Sequence, residues 1–462
     1  MKKFFFTTLL FSFIVSNIVA QPFFNKKGME SASIAYVVKN LKTGNIVHQQ
    51  NNLLSFTPAS VTKLITTATA LEILGKDFTF KTYIEYDGVI ENGTLKGNLY
   101  IRGGGDPTLG SYKMGDPRFM QSWAKIIKSA GINAITGAIV ADVSLYDQEG
   151  VSPKWLWEDI ANYYAPSIFA LSIYDNTCRV MLRSGAEGSA PEVISHKPFI
   201  EDMILHNHLV VKNIKSDSAY FYGSPLSNER YLFGAVPINK KEFIIKGDIP
   251  NLPMFFAKEM DKNLRNIGIK IAQQPKVLFK KENTNRKVIH CQHSPKLSRI
   301  IQEINVKSNN VYAEHLFKYL SLQKNNVAHS AVSIGVVKSF WKQKGLNTES
   351  LFLQDGSGLS PKNKISAQFF VDLLCYMRRS ENFEAFYNSL PVAGESGTIR
   401  QFLSGTALSG NVKAKSGSFD MVQCYAGYMS DSYAFAVLTN NFYCPRREIV
   451  REIERLLTQS IR

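Results

Sequence analysis

The sequence predicts a mixed α/β (α+β) protein whose sheet is assembled from the two ends of the chain, with a long middle segment inserted between them. Three observations carry that expectation. Residues 33–38 read Ser-Ile-Ala-Tyr-Val-Val, a β-branched and aromatic run. The turn formers of Asn40 to Gly44 separate it from Ile46 and Val47, so a β-hairpin opens the fold. Near the other end, residues 423–429 and 434–439 read as two more strands around a Ser-Asp-Ser turn, and an amphipathic, charged helix follows over about 446–458. Finally, 462 residues exceed what one hydrophobic core usually supports, which favours two or three domains.

The first twenty residues describe a destination. Lys2 and Lys3 precede an apolar run from Phe4 to Val15, and small or neutral residues continue to Ala20. This is the pattern of a secretory signal cleaved near Ala20, and its apolar core is short of the roughly 20 residues a spanning helix needs. No cysteine follows the cut, so nothing points to a lipid anchor. An exported, periplasmic or cell-envelope protein is expected. Export argues against nucleic acid as the partner of the +16 formal charge. The charge then serves either solubility or peripheral attraction to an anionic wall or membrane surface.

Five cysteines, at 178, 291, 375, 424 and 444, are too few and too scattered for a disulfide framework. The His-Cys-Gln-His run at 290–293 is too compact for zinc-ligand spacing. His206 and His208, on one face of a possible strand, read as surface residues. No metal and no organic cofactor is expected.

The chemistry begins at Thr57-Pro58-Ala59-Ser60-Val61-Thr62-Lys63, followed by Leu64, Ile65, Ala68, Leu71 and Leu74 at helical spacing and Gly75 as a stop. Ser60 therefore sits in the first turn of a buried helix, where backbone N–H groups and the helix dipole favour developing negative charge. Lys63 is one turn on, on the same face; in a dry pocket beside other cations it loses its proton readily and becomes a general base for the serine. Ser-x-x-Lys alone is a weak signal, far more often a capped helix with a solvated lysine. Two later segments strengthen it. Ser308-Asn309-Asn310 reads as a loop entering a helix at Val311, and Val412-Lys413-Ala414-Lys415-Ser416-Gly417-Ser418 reads as a strand.

The ordered set Ser-x-x-Lys, Ser-x-Asn, Lys-Ser-Gly resembles the penicillin-binding proteins and serine β-lactamases. The 248 residues separating Ser60 from Ser308 resemble one branch, the class C low-molecular-weight penicillin-binding proteins, which are D-alanyl-D-alanine carboxypeptidases and endopeptidases. Further segments similar to that branch are Ile101 to Leu109 with its Gly103-Gly104-Gly105-Asp106 core, Gly137 to Asp142, Trp155 to Asp159, Ser294 to Leu297, Asp355 to Ser360, and Gly397-Thr398. The glycine-rich pieces read as tight turns and scaffold.

The resemblance implies a transpeptidase-like domain, an antiparallel sheet flanked by helices, from residues 21–81 and 289–462 after a signal peptide at 1–20. It implies two nested insertions: domain II from 82–105 and 168–288, and domain III from 106–167. Catalytic roles are expected for Ser60, Lys63, Ser308, Asn310 and Lys415, and substrate contacts for Ser416, Gly417, Ser418 and Asp159. Gly417 is expected to let substrate backbone lie against the strand. The N–H groups of Ser60 and Ser418 would form the oxyanion hole. Asp159 either meets an amino group of the stem peptide or is an exposed acid at a helix start. Ser416 stands where threonine is commoner, and Pro361-Lys362 follows where the family often carries a carboxylate-reading arginine; a lysine does not reproduce its bidentate fork. Peptidoglycan peptides are the implied substrates and β-lactams the implied inhibitors. The alternatives are a β-lactamase or esterase on the same core, disfavoured by the long insertion, and an inactive wall-binding homologue, disfavoured by the intact motifs.

Overall fold

The alternation of small and large apolar residues along the terminal strands requires cover on both faces. The computed structural model, which describes residues 26–461, supplies it. The expected secretory signal lies outside the described residues. The principal sheet has five strands: β1 (Ser33–Asn40), β2 (Ile46–Gln50), β3 (Val412–Phe419), β4 (Val422–Met429) and β5 (Tyr433–Asn440), in the order β2-β1-β5-β4-β3 and antiparallel throughout. The two ends of the chain thus meet in the β1–β5 pair. The β1–β2 turn is fixed by Asn40, whose Oδ1 accepts from Lys42 N at 2.9 Å and Thr43 N at 3.0 Å.

Because side chains alternate across a sheet, adjacent residues serve different cores. Ala35, Val37, Cys424, Ala426, Ala436 and Leu438 join the large core with the helices α1 (Lys63–Leu74) and α4 (Ala367–Met377). Ile34, Tyr36, Val38, Tyr425, Phe435 and Val437 face a second core closed by Ile449, Ile453, Leu456 and Leu457 of α5 (Arg446–Gln459). The helices α2 (Leu297–Lys307) and α3 (Asn310–Leu320) pack on α1, whose residues 63–71 are all buried. A helix buried all round needs no polar face, which accounts for the unbroken Leu-Ile-Thr-Thr-Ala-Thr-Ala-Leu run after Lys63.

Between α1 and α2 the chain makes one long excursion. It leaves along Lys81–Tyr86 and returns along Lys287–His293, two strands paired antiparallel with Lys81 opposite His293. The excursion builds several smaller sheets, among them Glu192–Lys197, Thr177–Arg183 and Phe243–Asp248, and Ile204–Asn207, Glu229–Phe233 and Tyr220–Tyr222. A fully buried Arg230, donating from Nε to Asp248 Oδ1 at 2.6 Å and from Nη2 to Oδ2 at 2.9 Å, joins the last two sheets. The Gly103–Gly105 turn is tight because a Cβ on Gly104 would lie 1.8 Å from the Lys81 carbonyl oxygen.

His206 and His208 stack on Tyr231 and Phe233, with ring centroids 4.4 and 4.8 Å apart, and His206 contacts Glu229. No group of three or more His, Cys, Asp or Glu fit to hold a metal occurs among the described residues, and all five cysteines are free. No helix among the described residues is long and apolar enough to cross a membrane.

Candidate active site

Pro58 and Ala59 lead into a 3₁₀ turn, Ala59–Thr62, that runs directly into α1 and presents Ser60 at its mouth. Ala59 adopts φ +47°, a left-handed conformation that a residue with a Cβ holds only at a cost of order 1–3 kcal/mol. The surroundings enforce it: Thr62 Oγ1 donates to the Ala59 carbonyl at 2.9 Å, and a Cβ on Gly358 would lie 2.0 Å from that same oxygen. Strand β3 closes on the other side. A Cβ on Gly417 would meet Pro58 O at 2.3 Å and the backbone nitrogens of Ser60 and Val61 at 2.9 Å. The glycine of the third motif is therefore demanded by the protein's own backbone around Ser60, a reason different from the substrate clearance expected from sequence.

One turn from Ser60, Lys63 has no exposed surface. Its Nζ lies 3.0 Å from Ser60 Oγ, 2.6 Å from Asn310 Oδ1 and 2.6 Å from the Ser357 carbonyl oxygen. Burial lowers its pKa to about 7, against the opposing pull of Asp355 and Glu314. Lys415, also without exposed surface, donates from Nζ to Ser308 Oγ at 3.0 Å and to the Ser416 carbonyl at 2.7 Å. Burial first, and then the positive charge of Lys63, hold its pKa well below the ordinary lysine value. Five residues from three distant segments thus form two adjoining sets of contacts, Ser60–Lys63–Asn310 and Ser308–Lys415.

The second motif occupies the junction of α2 and α3. Ser308 ends α2 in a left-handed conformation, φ +57°, and Asn309 caps α3 by accepting from Tyr312 N at 3.2 Å. This reversal turns Ser308 toward Lys415 and Asn310 toward Lys63. Asn310 also donates from Nδ2 to the Tyr164 carbonyl at 2.8 Å, so the long excursion helps to set its orientation. The Tyr164 hydroxyl donates in turn to Asp159 Oδ1 at 3.1 Å. Asp159 lies in a turn, not at a helix start, is half-buried, and burial raises its carboxyl pKa. Ser416 shares a hydrogen bond with Thr398 Oγ1 at 2.8 Å, and Ser418 donates to Gln423 Oε1 at 3.1 Å. Lys362 is exposed, its backbone N–H directed to Ser360 Oγ.

Beneath Lys63 lie two carboxylates to which the sequence assigned no role. Glu314 Oε1 accepts from Gly356 N at 3.1 Å and Ser357 N at 2.7 Å, while Asp355 accepts from Gly358 N, Ser360 N, Asn363 Nδ2 and Trp155 Nε1 at 2.6–2.9 Å. Together they shape the loop whose Ser357 carbonyl meets Lys63. Burial raises both, Glu314 to about 8, with the Asp355 charge adding to it. Glu314 is four residues after Asn310, on the same helical face, a spacing that sequence reading could have used. Asp355 gave no such signal, because its motif also fits an ordinary turn.

A match to the D-Ala-D-Ala carboxypeptidase 3 (S13) family model extends over residues 16–459. The chain belongs to that family. Among its curated relatives, the D-alanyl-D-alanine carboxypeptidase DacB of Haemophilus influenzae is 26% identical over 440 residues, 92% of this chain and 90% of the relative. A D-alanyl-D-alanine carboxypeptidase of an Actinomadura species is 26% identical over 435 residues, 90% and 79% of the two chains. The crystal structure of penicillin binding protein 4 from Haemophilus influenzae superposes with a TM-score of 0.83 at 24% identity, covering 96% of this chain and 99% of that one. A second structure of that Haemophilus protein, complexed with a β-lactam, gives 0.77. The S13 assignment makes the chain a serine hydrolase of the low-molecular-weight class C penicillin-binding type, as its three motifs implied, on the α/β fold of that group.

Proposed function

We propose that this S13 protein cleaves D-alanyl-D-alanine or the related cross-link bond in peptidoglycan peptides through an acyl-enzyme on Ser60, and that β-lactams acylate the same serine. The observation that carries this reading is the set of contacts around Lys63 Nζ. Two of its three neighbours, Asn310 Oδ1 and the Ser357 carbonyl, can only accept hydrogen bonds. A neutral amine gives them its two hydrogens and is left with its lone pair toward Ser60 Oγ, 3.0 Å away. That is the arrangement of a general base, and a pKa near 7 places half of the lysine in that form at neutral pH.

Ser60 Oγ attacks the carbonyl of the penultimate residue while Lys63 takes its proton. The carbonyl oxygen becomes an oxyanion held by the N–H groups of Ser60 and Ser418. Collapse breaks the peptide bond, and Ser308, in contact with Lys415, relays a proton to the departing amine. Water then hydrolyses the ester. Lys415 and the hydroxyl of Ser416 receive the terminal carboxylate, Gly417 keeps β3 against the Ser60 turn, and Asp159 meets an amino group of the stem. Residues 21–81 and 289–462 form the catalytic unit in this reading, with 82–105 and 168–288 as one insertion and 106–167 nested within it. The protein acts in the cell envelope after removal of its leader.

The test is incubation of the protein and its Ser60→Ala variant with a fluorescent penicillin and with cross-linked muropeptides, followed by mass spectrometry. Label and product that both vanish in the variant support the reading, and product masses identify the bond cut. A folded wild type that neither labels nor cleaves would sink it.

A further inference from the structure

One face of the excursion carries a charge arrangement that acyl transfer does not use. Thr177–Arg183 is the central strand of a three-stranded antiparallel sheet, with Glu192–Lys197 on one side and Phe243–Asp248 on the other. In that register Arg179 is directly opposite Lys197 on one neighbour and directly opposite Lys246 on the other. Three cations stand abreast across three strands, all exposed. Residues so paired have Cβ atoms about 4.5–5.5 Å apart, and like charges at that spacing destabilise the sheet. The same strand shows the ordinary solution four residues on, where Arg183 is opposite Glu192 and bonds to it at 2.9 Å. Arg179 has no such carboxylate among the described residues.

The row borders the catalytic residues. Arg179, Lys197 and Lys246 line a cleft of about 500 Å³ whose lining also includes Lys307, Ser308, Asn309 and Asn310. The single carboxylate among the described residues of that lining, Asp175, is buried and already accepts from Ser111 Oγ at 2.7 Å and Tyr312 OH at 3.0 Å. Lys113, a fifth cation of the cleft, has its own partner in Glu303 at 3.5 Å. The Arg179 guanidinium lies 5.6 Å from the ring centre of Tyr112, and Lys246 Nζ 5.9 Å from that of Tyr163, so tyrosines flank the charges. Asn309 adds a buried amide Nδ2 without a hydrogen-bond partner among the described residues.

We propose that the Lys197–Arg179–Lys246 row is a second carboxylate subsite, which takes a free carboxylate of the peptidoglycan peptide away from the bond being cut. The proposal rests on the peptidase reading above and adds to it a determinant of which peptides are held. An arriving carboxylate relieves the repulsion within the row, and Arg179 at its centre offers the planar fork that matches two carboxylate oxygens.

The experiment compares Ser60→Ala protein with the same protein carrying Arg179→Gln, Lys197→Gln and Lys246→Gln, so that turnover cannot confuse binding. Calorimetric titration uses cross-linked muropeptides with free carboxylates and the same muropeptides with those carboxylates amidated. The expected result is an affinity about tenfold weaker for the acidic peptide in the glutamine variant, with no change for the amidated one. The acidic-peptide affinity of the parent should also fall with added salt. Removing mutual repulsion should leave the melting temperature of the variant unchanged or higher, which guards against a folding artefact. Equal affinities of the two proteins for the acidic peptide, or equal losses on both peptides, would overturn the proposal. Penicillin labelling of Ser60 is read separately on the wild type, so failure of the serine reading and failure of the row give different results.

Discussion

Glu314→Gln is the perturbation that isolates the electrostatics of the base. Glutamine keeps an oxygen for the Gly356 and Ser357 N–H groups, which now meet Glu314 Oε1 at 3.1 and 2.7 Å, and removes only the charge. The carboxylate and Lys63 Nζ touch opposite ends of Ser357, its N–H and its carbonyl, which puts the two charges about 6–9 Å apart. At an effective dielectric constant of about 20, that separation is worth roughly 2 kcal/mol, or about 1.5 pH units. Glu314, with its own pKa near 8, is only about one-tenth ionised at pH 7, so a shift of no more than about 0.3 unit is expected at the lysine. A nearby negative charge favours the ammonium form, and its loss lowers the lysine pKa below its present value of about 7. The acid limb of the acylation profile therefore moves to lower pH. The assay is the second-order rate of acylation by a chromogenic β-lactam between pH 5 and 9, each protein scaled to its own plateau. At pH 6 the variant should retain up to about twofold more of its plateau rate than wild type. An acid limb that stays in place, or moves upward, would refute the reasoning, because either Glu314 carries no charge in that range or Lys63 is not the titrating base.

Two further outcomes follow from packing. Gly417→Ala should reduce acylation at least a hundredfold while costing about 1–3 kcal/mol of stability, since its Cβ meets backbone at Pro58, Ser60 and Val61 and must displace the nucleophile's turn; acylation rates and thermal melts check both halves. Arg230→Ala should cost about 3–5 kcal/mol in urea unfolding by leaving Asp248 buried without its partner, whereas replacing both residues by apolar ones should recover most of the loss.

The sheet formed from both chain ends was readable because its strands are β-branched, aromatic and bounded by turn residues; the strand over 422–429 starts one residue before its expected limit, and that over 433–440 extends one residue beyond at each end. The three motifs were readable because their order along the chain is informative even where each alone is cheap. What the sequence concealed is what lies behind them. Trp155, Tyr164, Glu314, Asp355 and Thr398 act through contacts between segments far apart in the chain, such as Trp155 Nε1 to Asp355 and Tyr164 O to Asn310 Nδ2. No local period encodes such a pairing. Gly417 carries a second constraint that the sequence does not reveal, since only the fold shows that its missing Cβ also clears the Pro58 carbonyl.

The pairing of Lys81 with His293 has a consequence for how such a protein tolerates change in its middle. The chain departs and re-enters at adjacent points on neighbouring strands, so the length of what lies between enters the closure entropy only as a logarithm. Doubling that length costs about 0.6 kcal/mol, and the catalytic unit hardly registers it. Yet the same excursion returns Trp155 to Asp355 and Tyr164 to Asn310, which sit one contact away from the loop and the amide that hold the base. Sequence drift in the excursion is free in length but taxed at those two points, which makes the basicity of Lys63 a property jointly owned by segments that topology leaves independent.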